Sequence, residues 1–326
     1  MSTTAAPVSR RSAITTRASG VLNSIFRKVI LLATHNRVVA GGVRRWGMRL
    51  GAARFVAGET FDECAIVLKS LNDKGLHTNT TLLGEGVADE GKARDVVASY
   101  IEILNGIHER GLKTNVALKL THLGLDLGED VAYQNVSDII THAAGLGIFI
   151  RIDMEESARV ESTLRIYRKL REAGQDNVGT VLQSALYRSE DDLRSLMEYV
   201  PNLRLVKGAY LEPASIAHQK KDDVDAAYIR MAHFSLSNGG YTAIATHDER
   251  IIDNVIAYAE ANNIPRDRFE FQMLYGISTQ LQVDLVKRGY KVLVATPFGL
   301  EWYFYLMRRL AERPANLFFV LKGVRR

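Results

Sequence analysis

From about His77 onward, short apolar and β-branched runs alternate with longer stretches whose apolar positions recur at helical spacing. The runs predict strands over Thr78–Gly84, Asn115–Thr121, Ile148–Asp153, Gly179–Gln183, Leu203–Lys207, Thr242–Thr246, Arg268–Gln272 and Lys291–Ala295. The stretches between them, such as Gly91–Glu109, Ser157–Ala173, Ser189–Val200 and Val224–Ser237, predict amphipathic helices. Near-continuous apolar strands, each followed by a helix, predict a parallel sheet covered on its outside. Eight such units in roughly 250 residues point to an α/β fold closed into a (β/α)8 barrel. A doubly wound sheet would be expected to carry GxGxxG after an early strand, but Gly84-Glu85-Gly86 followed by Gly91 has the wrong spacing.

The segment up to about Leu76 reads as helical. Ile25–Leu32 carries Arg27 and Lys28 on an apolar stretch, and Thr60 with Glu63 forms a capping-box signature. The expected organisation is a disordered basic tail over 1–24, a helical segment over 25–76 and a barrel over 77–326.

Composition narrows the class. With 326 residues, 47% of them hydrophobic and 24% charged, the chain suits one large soluble domain. Six prolines and no low-complexity tract argue against a modular or disordered protein. No apolar run reaches the roughly 18–20 residues that span a bilayer. The one cysteine, Cys64, excludes an intramolecular disulfide and a cysteine-based metal site, which fits a reducing, cytoplasmic setting, and no metal is expected.

The net charge of +5 is unevenly spread, since the first 60 residues hold ten Lys and Arg against the single acid Glu59. Such an arm suits an anionic membrane face or an acidic partner. It has too few aromatics for base stacking, so no nucleic acid is expected. Its Ser, Thr and Ala content up to Ser19 also resembles a mitochondrial transit peptide, with a solvated tail as the plainer reading.

Polar residues gather where the strands would end, at the catalytic mouth of such a barrel. Glu85 ends the first strand, Lys119 lies on the second, Asp153 ends the third and Gln183 the fourth. The fifth carries Arg204 and runs into Lys207-Gly208-Ala209-Tyr210, the sixth ends in Thr246-His247-Asp248, and the seventh leads to Gln272-Met273-Leu274-Tyr275. Lys119 and Arg204 each alternate with leucines, so each calls for a buried partner, and Asp153 is the expected one for Lys119. A structural ion pair would satisfy the same pattern. His247 alone is more often a structural hydrogen-bonding histidine than a catalyst.

In the last predicted helix, Tyr305, Arg308, Arg309 and Glu312 fall at i, i+3, i+4 and i+7, on one face. Alone, such a face reads as solvated. At a barrel mouth, paired guanidiniums can grip a carboxylate, with Glu85 as an acid to hold one of them.

These residues resemble the proline dehydrogenase family, both its stand-alone bacterial members and the matching domain of bifunctional proline-utilisation flavoproteins. The motifs are Leu203-Arg-Leu-Val-Lys-Gly-Ala-Tyr210, Ile152-Asp-Met-Glu-Glu156, Ala245-Thr-His247, Phe269-Glu-Phe-Gln-Met-Leu-Tyr-Gly276 and Tyr305-Leu-Met-Arg-Arg-Leu-Ala-Glu-Arg-Pro-Ala-Asn316. Arg54-Phe-Val-Ala-Gly-Glu59 resembles the family's entry segment. The resemblance implies a distorted (β/α)8 barrel with a final helix over its mouth. It implies FAD-dependent oxidation of L-proline to Δ1-pyrroline-5-carboxylate, the first step of proline catabolism, with electrons passed to a membrane quinone. Peripheral contact with the inner membrane face would follow.

By motif, the resemblance implies Asp153 and Arg204 as the active-site pair. It implies Met154, Gln183, Arg204, Lys207, Gly208, Ala209, Thr246 and His247 as FAD contacts. Lys119, Arg308 and Arg309 become the carboxylate grip, Tyr210, Leu274 and Tyr305 the wall around the ring, and Glu85 an ion-pair partner of one arginine.

One position departs from the family. Ala295-Thr-Pro-Phe-Gly299 stands where the family carries Tyr-x-Pro-x-Gly, so Ala295 replaces a ring-packing tyrosine. The alternative substrates are therefore hydroxyproline or another substituted proline. A more distant alternative is a Schiff-base aldolase using Lys207.

Overall fold

The structure, a computed structural model, describes residues 52–312, with side chains up to 307. The strands are β1 (His77–Leu82), β2 (Thr114–Leu118), β3 (Ile150–Ile152), β4 (Val178–Gln183), β5 (Asn202–Val206), β6 (Tyr241–Ala245), β7 (Phe269–Leu274) and β8 (Val292–Phe298). They pair in chain order, and β8 pairs in parallel with β1, closing the expected eight-stranded barrel.

Helix α1 (Phe61–Asn72) precedes the barrel. Helices α2 (Glu90–Glu109), α3 (Glu129–Gly145), α4 (Ser157–Glu172), α5 (Ser189–Leu196), α6 (Lys221–Ser237), α7 (Glu249–Ala261) and α8 (Thr279–Lys287) each link one strand to the next. The capping box forms as the sequence predicts: Thr60 Oγ1 accepts from the Glu63 N–H at 3.3 Å, and the Glu63 carboxylate accepts from the Thr60 N–H.

Two strands run further than predicted. β7 reaches Leu274, and β8 continues through Pro297 to Phe298. Pro297 has no N–H to donate, but its carbonyl accepts from Ala57 N–H at 2.8 Å, and the Phe298 carbonyl accepts from Leu83 N–H at 2.8 Å. By contrast β2 stops at Leu118, because the chain turns into a 3-10 segment over Thr121–Leu123.

The two faces of the barrel wall divide the chemistry. Outward-facing residues such as Val116, Leu118, Ile150, Ile152, Leu203, Leu205, Phe269 and Phe271 are buried in one hydrophobic cluster with the helices. Residues in register across parallel strands face the same side, and alternate residues along a strand face opposite sides. Register therefore groups Ala117 with Arg151 and Gly179, and Val181 with Arg204, Ala243 and Glu270. It likewise groups Asn79 with Ala295 and Leu274.

These residues face the interior. Odd-numbered strands supply long polar side chains there (Asn79, Arg151, Arg204, Glu270, Gln272), and even-numbered strands supply small ones (Ala117, Gly179, Ala243, Ala295). Gly179 illustrates the fit: a Cβ there would lie 2.2 Å from the Asn202 carbonyl oxygen and 2.4 Å from Arg151 Nη1. The missing side chain is what lets the buried Arg151 donate to the carbonyls of Thr180 at 2.9 Å and Asn202 at 2.6 Å.

The chain divides into two compact units, with Arg54–Leu300 forming the barrel unit. Helix α9 (Trp302–Glu312) lies in the other unit and contains Tyr305. The side chains of Arg308 and Arg309, and the whole tail 1–24, lie outside the described residues.

Candidate active site

The centre of the site is Arg204, 8% exposed and projecting from β5 into the barrel. A guanidinium donates in several directions in one plane, and here each edge is met. Nη1 donates to Asp153 Oδ1 at 2.7 Å, Nη2 to Asn79 Oδ1 at 3.0 Å and Nε to Gln272 Oε1 at 2.6 Å. The partners come from β1, β7 and the end of β3, so the closed barrel fixes the guanidinium from three sides. Asp153, just past β3 and anchored by its N–H to the Leu118 carbonyl at 2.8 Å, keeps a partly exposed carboxylate.

The expected pairing of Lys119 with Asp153 is not what forms. Lys119 lies one residue beyond β2, and its ammonium pairs with Glu85, which follows the neighbouring strand β1. Asp153 is committed to Arg204 instead. Strand β2 ends one residue before Lys119, so the lysine stands outside the ladder whose alternation would pair it with Asp153. The expected Glu85 partner, an arginine of α9, involves side chains outside the described residues.

His122 packs behind this pair. A Cβ on Gly84 would come within 2.4 Å of the His122 ring. Burial, with the Lys119 charge adding to it, lowers the His122 pKa to about 4, against an ordinary value of 6.5. A histidine held neutral in the native state stabilises fully above the unfolded pKa and loses that contribution as pH falls through the folded one. Stability is therefore expected to drop by roughly 3 kcal/mol between about pH 6.5 and pH 4. Urea midpoints across this window should fall less steeply in His122→Gln than in wild type. Parallel curves would remove the assignment.

Further round the mouth, Gly208 takes φ 114°, a backbone conformation that favours glycine. A Cβ there would crowd Ala185 Cβ and Gln183 Oε1, each at 3.2 Å. Gln183, buried at the end of β4, donates from Nε2 to the carbonyl of Glu155 at 2.7 Å, and Met154, which precedes Glu155 in the chain, is also buried. Gly208 and Ala209 are exposed, leaving backbone accessible next to Lys207.

The ammonium of Lys207 lies 2.6 Å from Asp225 Oδ1 and 3.1 Å from Asp248 Oδ2. Burial pushes the Asp248 carboxyl up, but hydrogen bonds from Lys207 and Arg250 outweigh it and hold it well below the usual range. Lys207 therefore directs its nitrogen at carboxylates, an arrangement unlike the free neutral amine a Schiff base needs. Thr246, buried at the end of β6, accepts the Asp248 N–H at 3.1 Å. His247 Nε2 accepts the Leu274 N–H at 3.0 Å, which leaves the proton of its neutral ring on Nδ1. The histidine thus ties the ends of β6 and β7 together.

Ala295 and Leu274 are in register and face the interior. Ala295 is partly exposed although its neighbours Val294 and Thr296 are fully buried. Open space beside β8 is what a small residue at this position leaves. Tyr210 is half-buried on the loop after β5.

Asn79 and Glu270 join the site without having been among the residues expected from the sequence, and Gln272 gains a partner there. The signal for two of them was present: Glu270 and Gln272 alternate with Phe269, Phe271 and Met273, the same period-two pattern that marked Arg204.

Comparison with known proteins gives one consistent result. A family model described as proline dehydrogenase matches residues 65–322. Proline dehydrogenase 1 of Bacillus subtilis (strain 168) is 41% identical over 300 residues, covering 92% of this chain and 99% of that protein. The proline dehydrogenase of Deinococcus radiodurans is 42% identical over 310 residues, covering 93% of this chain and 99% of that protein. Among solved structures, the chain is similar to proline utilization A from Bdellovibrio bacteriovorus inactivated by N-propargylglycine, with a TM-score of 0.78 at 26% identity. That match covers 89% of this chain and only 37% of the longer one.

Proposed function

The chain belongs to the proline dehydrogenase family, and on that premise we propose that it oxidises L-proline to Δ1-pyrroline-5-carboxylate with a bound FAD. The observation that carries this reading is Arg204, a cation held from three sides inside the barrel and paired with the partly exposed Asp153.

The residues at the mouth fit a flavin. Gly208 at φ 114° offers exposed backbone that a side chain would cover, next to a lysine anchored by carboxylates. Gln183, Lys207, Gly208 and Ala209 would hold the cofactor on one side. Met154, Thr246 and His247 would complete its surroundings. When bound, FAD supplies the two-electron acceptor for the carbon next to the ring nitrogen.

The protein's own part is orientation and electrostatics. Arg204 would hold positive charge beside the cofactor, where it would favour the reduced, anionic form. Lys119, steadied by Glu85, anchors the substrate carboxylate, and the family resemblance adds Arg308 and Arg309 to that role. Tyr210 and Leu274 bound the ring, with Tyr305 added on the resemblance alone. Positive charge at the site also favours the neutral amine, the form that reacts. The electron acceptor in this reading is a membrane quinone reached by peripheral contact. Among the described residues, no helix is long and apolar enough to cross a membrane.

A second reading has its own support. The partial exposure of Ala295 favours room for a ring substituent, and hence hydroxyproline or another substituted proline. The purified protein is expected to carry a flavin absorbance that bleaches on adding L-proline, and a panel of proline analogues ranks the ring preferences. A protein that takes up no FAD would defeat both readings.

A further inference from the structure

A row of buried polar side chains leads from Arg204 to the barrel floor, the end remote from the mouth. Arg204 Nε donates to Gln272 Oε1 at 2.6 Å, and Gln272 Nε2 donates to Glu270 Oε1 at 2.6 Å. The other oxygen of Glu270 accepts from Tyr241 Oη at 2.9 Å and lies 2.9 Å from Lys291 Nζ. Gln272 is 4% exposed and Glu270 2%. Burial pushes the Glu270 carboxyl up, but Lys291 outweighs it and holds the group below its ordinary value.

An amide has an accepting end and a donating end, and a guanidinium can only donate. Gln272 must therefore present its oxygen to Arg204, and its NH2 must find an acceptor elsewhere. The Glu270 carboxylate is that acceptor. Flipping the amide would set donor against donor at Arg204 and oxygen against carboxylate at Glu270. Glu270 thus fixes the sense of Gln272, and Gln272 fixes the roll of the guanidinium about Nε.

We propose that Glu270 and Gln272 are positioning residues: a carboxylate on the barrel floor aims Arg204 at the flavin and thereby tunes the cofactor's reduction potential. The inference rests on the FAD reading above. It differs from a merely stabilising ion network in what it predicts for the sign of the effect. Removing an anion from the interior by field alone would favour the anionic reduced flavin and move the potential positive. Losing the aim of Arg204 moves it negative.

The test uses the full-length, flavin-loaded protein with Gln272→Met, Glu270→Gln and the double variant. Reduction potential, FAD stoichiometry and the rate of flavin reduction at saturating L-proline are measured for each. Gln272→Met is expected to retain FAD, to shift the potential negative and to slow reduction about tenfold or more, because the guanidinium keeps Asp153 and Asn79 but leaves its buried Nε–H without an acceptor and shifts to meet one. Glu270→Gln should shift both in the same direction by less. The double variant should match Gln272→Met alone, since both act through one contact chain.

Unchanged or positive-going potentials, or additive effects in the double variant, would overturn the proposal. If Gln272→Met does not fold, the sign of the shift in Glu270→Gln decides it. A wild-type protein that is not bleached by proline defeats the functional reading itself. A wild type that bleaches alongside unaffected variants defeats only this inference.

Discussion

Replacing Arg204 with methionine is expected to slow flavin reduction by proline by about two to three orders of magnitude, the usual consequence of removing a group aimed at developing charge. The variant should also shift the flavin potential negative. Stability should fall too, because Asp153, Asn79 and Gln272 lose their common partner and a partly buried carboxylate is left unpaired. Breaking such a pair typically costs about 3–5 kcal/mol. Arg204→Lys sharpens the test. Lysine keeps the charge, but a single ammonium cannot meet three partners spread around a planar fork. It should recover part of the potential and little of the rate. Stopped-flow reduction with urea denaturation on the same preparations separates the two effects. Wild-type rates in Arg204→Met would show that the cation has no part in the chemistry.

Ala295→Tyr is the second large effect. The residue faces the interior in register with Asn79 and Leu274, and its partial exposure in an otherwise buried strand marks space rather than packing. A tyrosine should fill that space with little loss of stability and restore an aromatic wall against the ring. Burying one more ring CH2 against such a wall is worth about 0.8 kcal/mol, so the ratio of kcat/KM for proline over trans-4-hydroxy-L-proline should rise about fourfold or more. An unchanged ratio would mean that Ala295 does not select the ring.

Much of the fold was legible because the barrel repeats one local rule. Each strand needed only its apolar run, and the predicted strands fall within a few residues of those observed. The pairing inside the barrel was less legible, for a geometric reason. Arg204 and Asn79 are 125 positions apart in the chain and meet only because β1 closes onto β8. Lys119 and Asp153 follow the ends of neighbouring strands, and alternation along the sequence pairs them. A strand that stops at Leu118 sends the lysine toward Glu85 instead. Alternation says which residues face inward. It does not say which of several inward polar groups will meet, because that depends on strand ends and on barrel curvature.

The route by which Arg204 is satisfied bears on how the chain acquires its structure. Its three partners are supplied by the first, third and seventh strands, and closure depends on the last one. A half-formed barrel would hold a cation with its counter-charges still scattered, which penalises partial states and favours cooperative closure. Contacts of such long sequence separation also imply slow folding for a chain of this size. The Arg204 charge is therefore among the last features to be assembled, and a chain that has reached it has already passed the test of being folded.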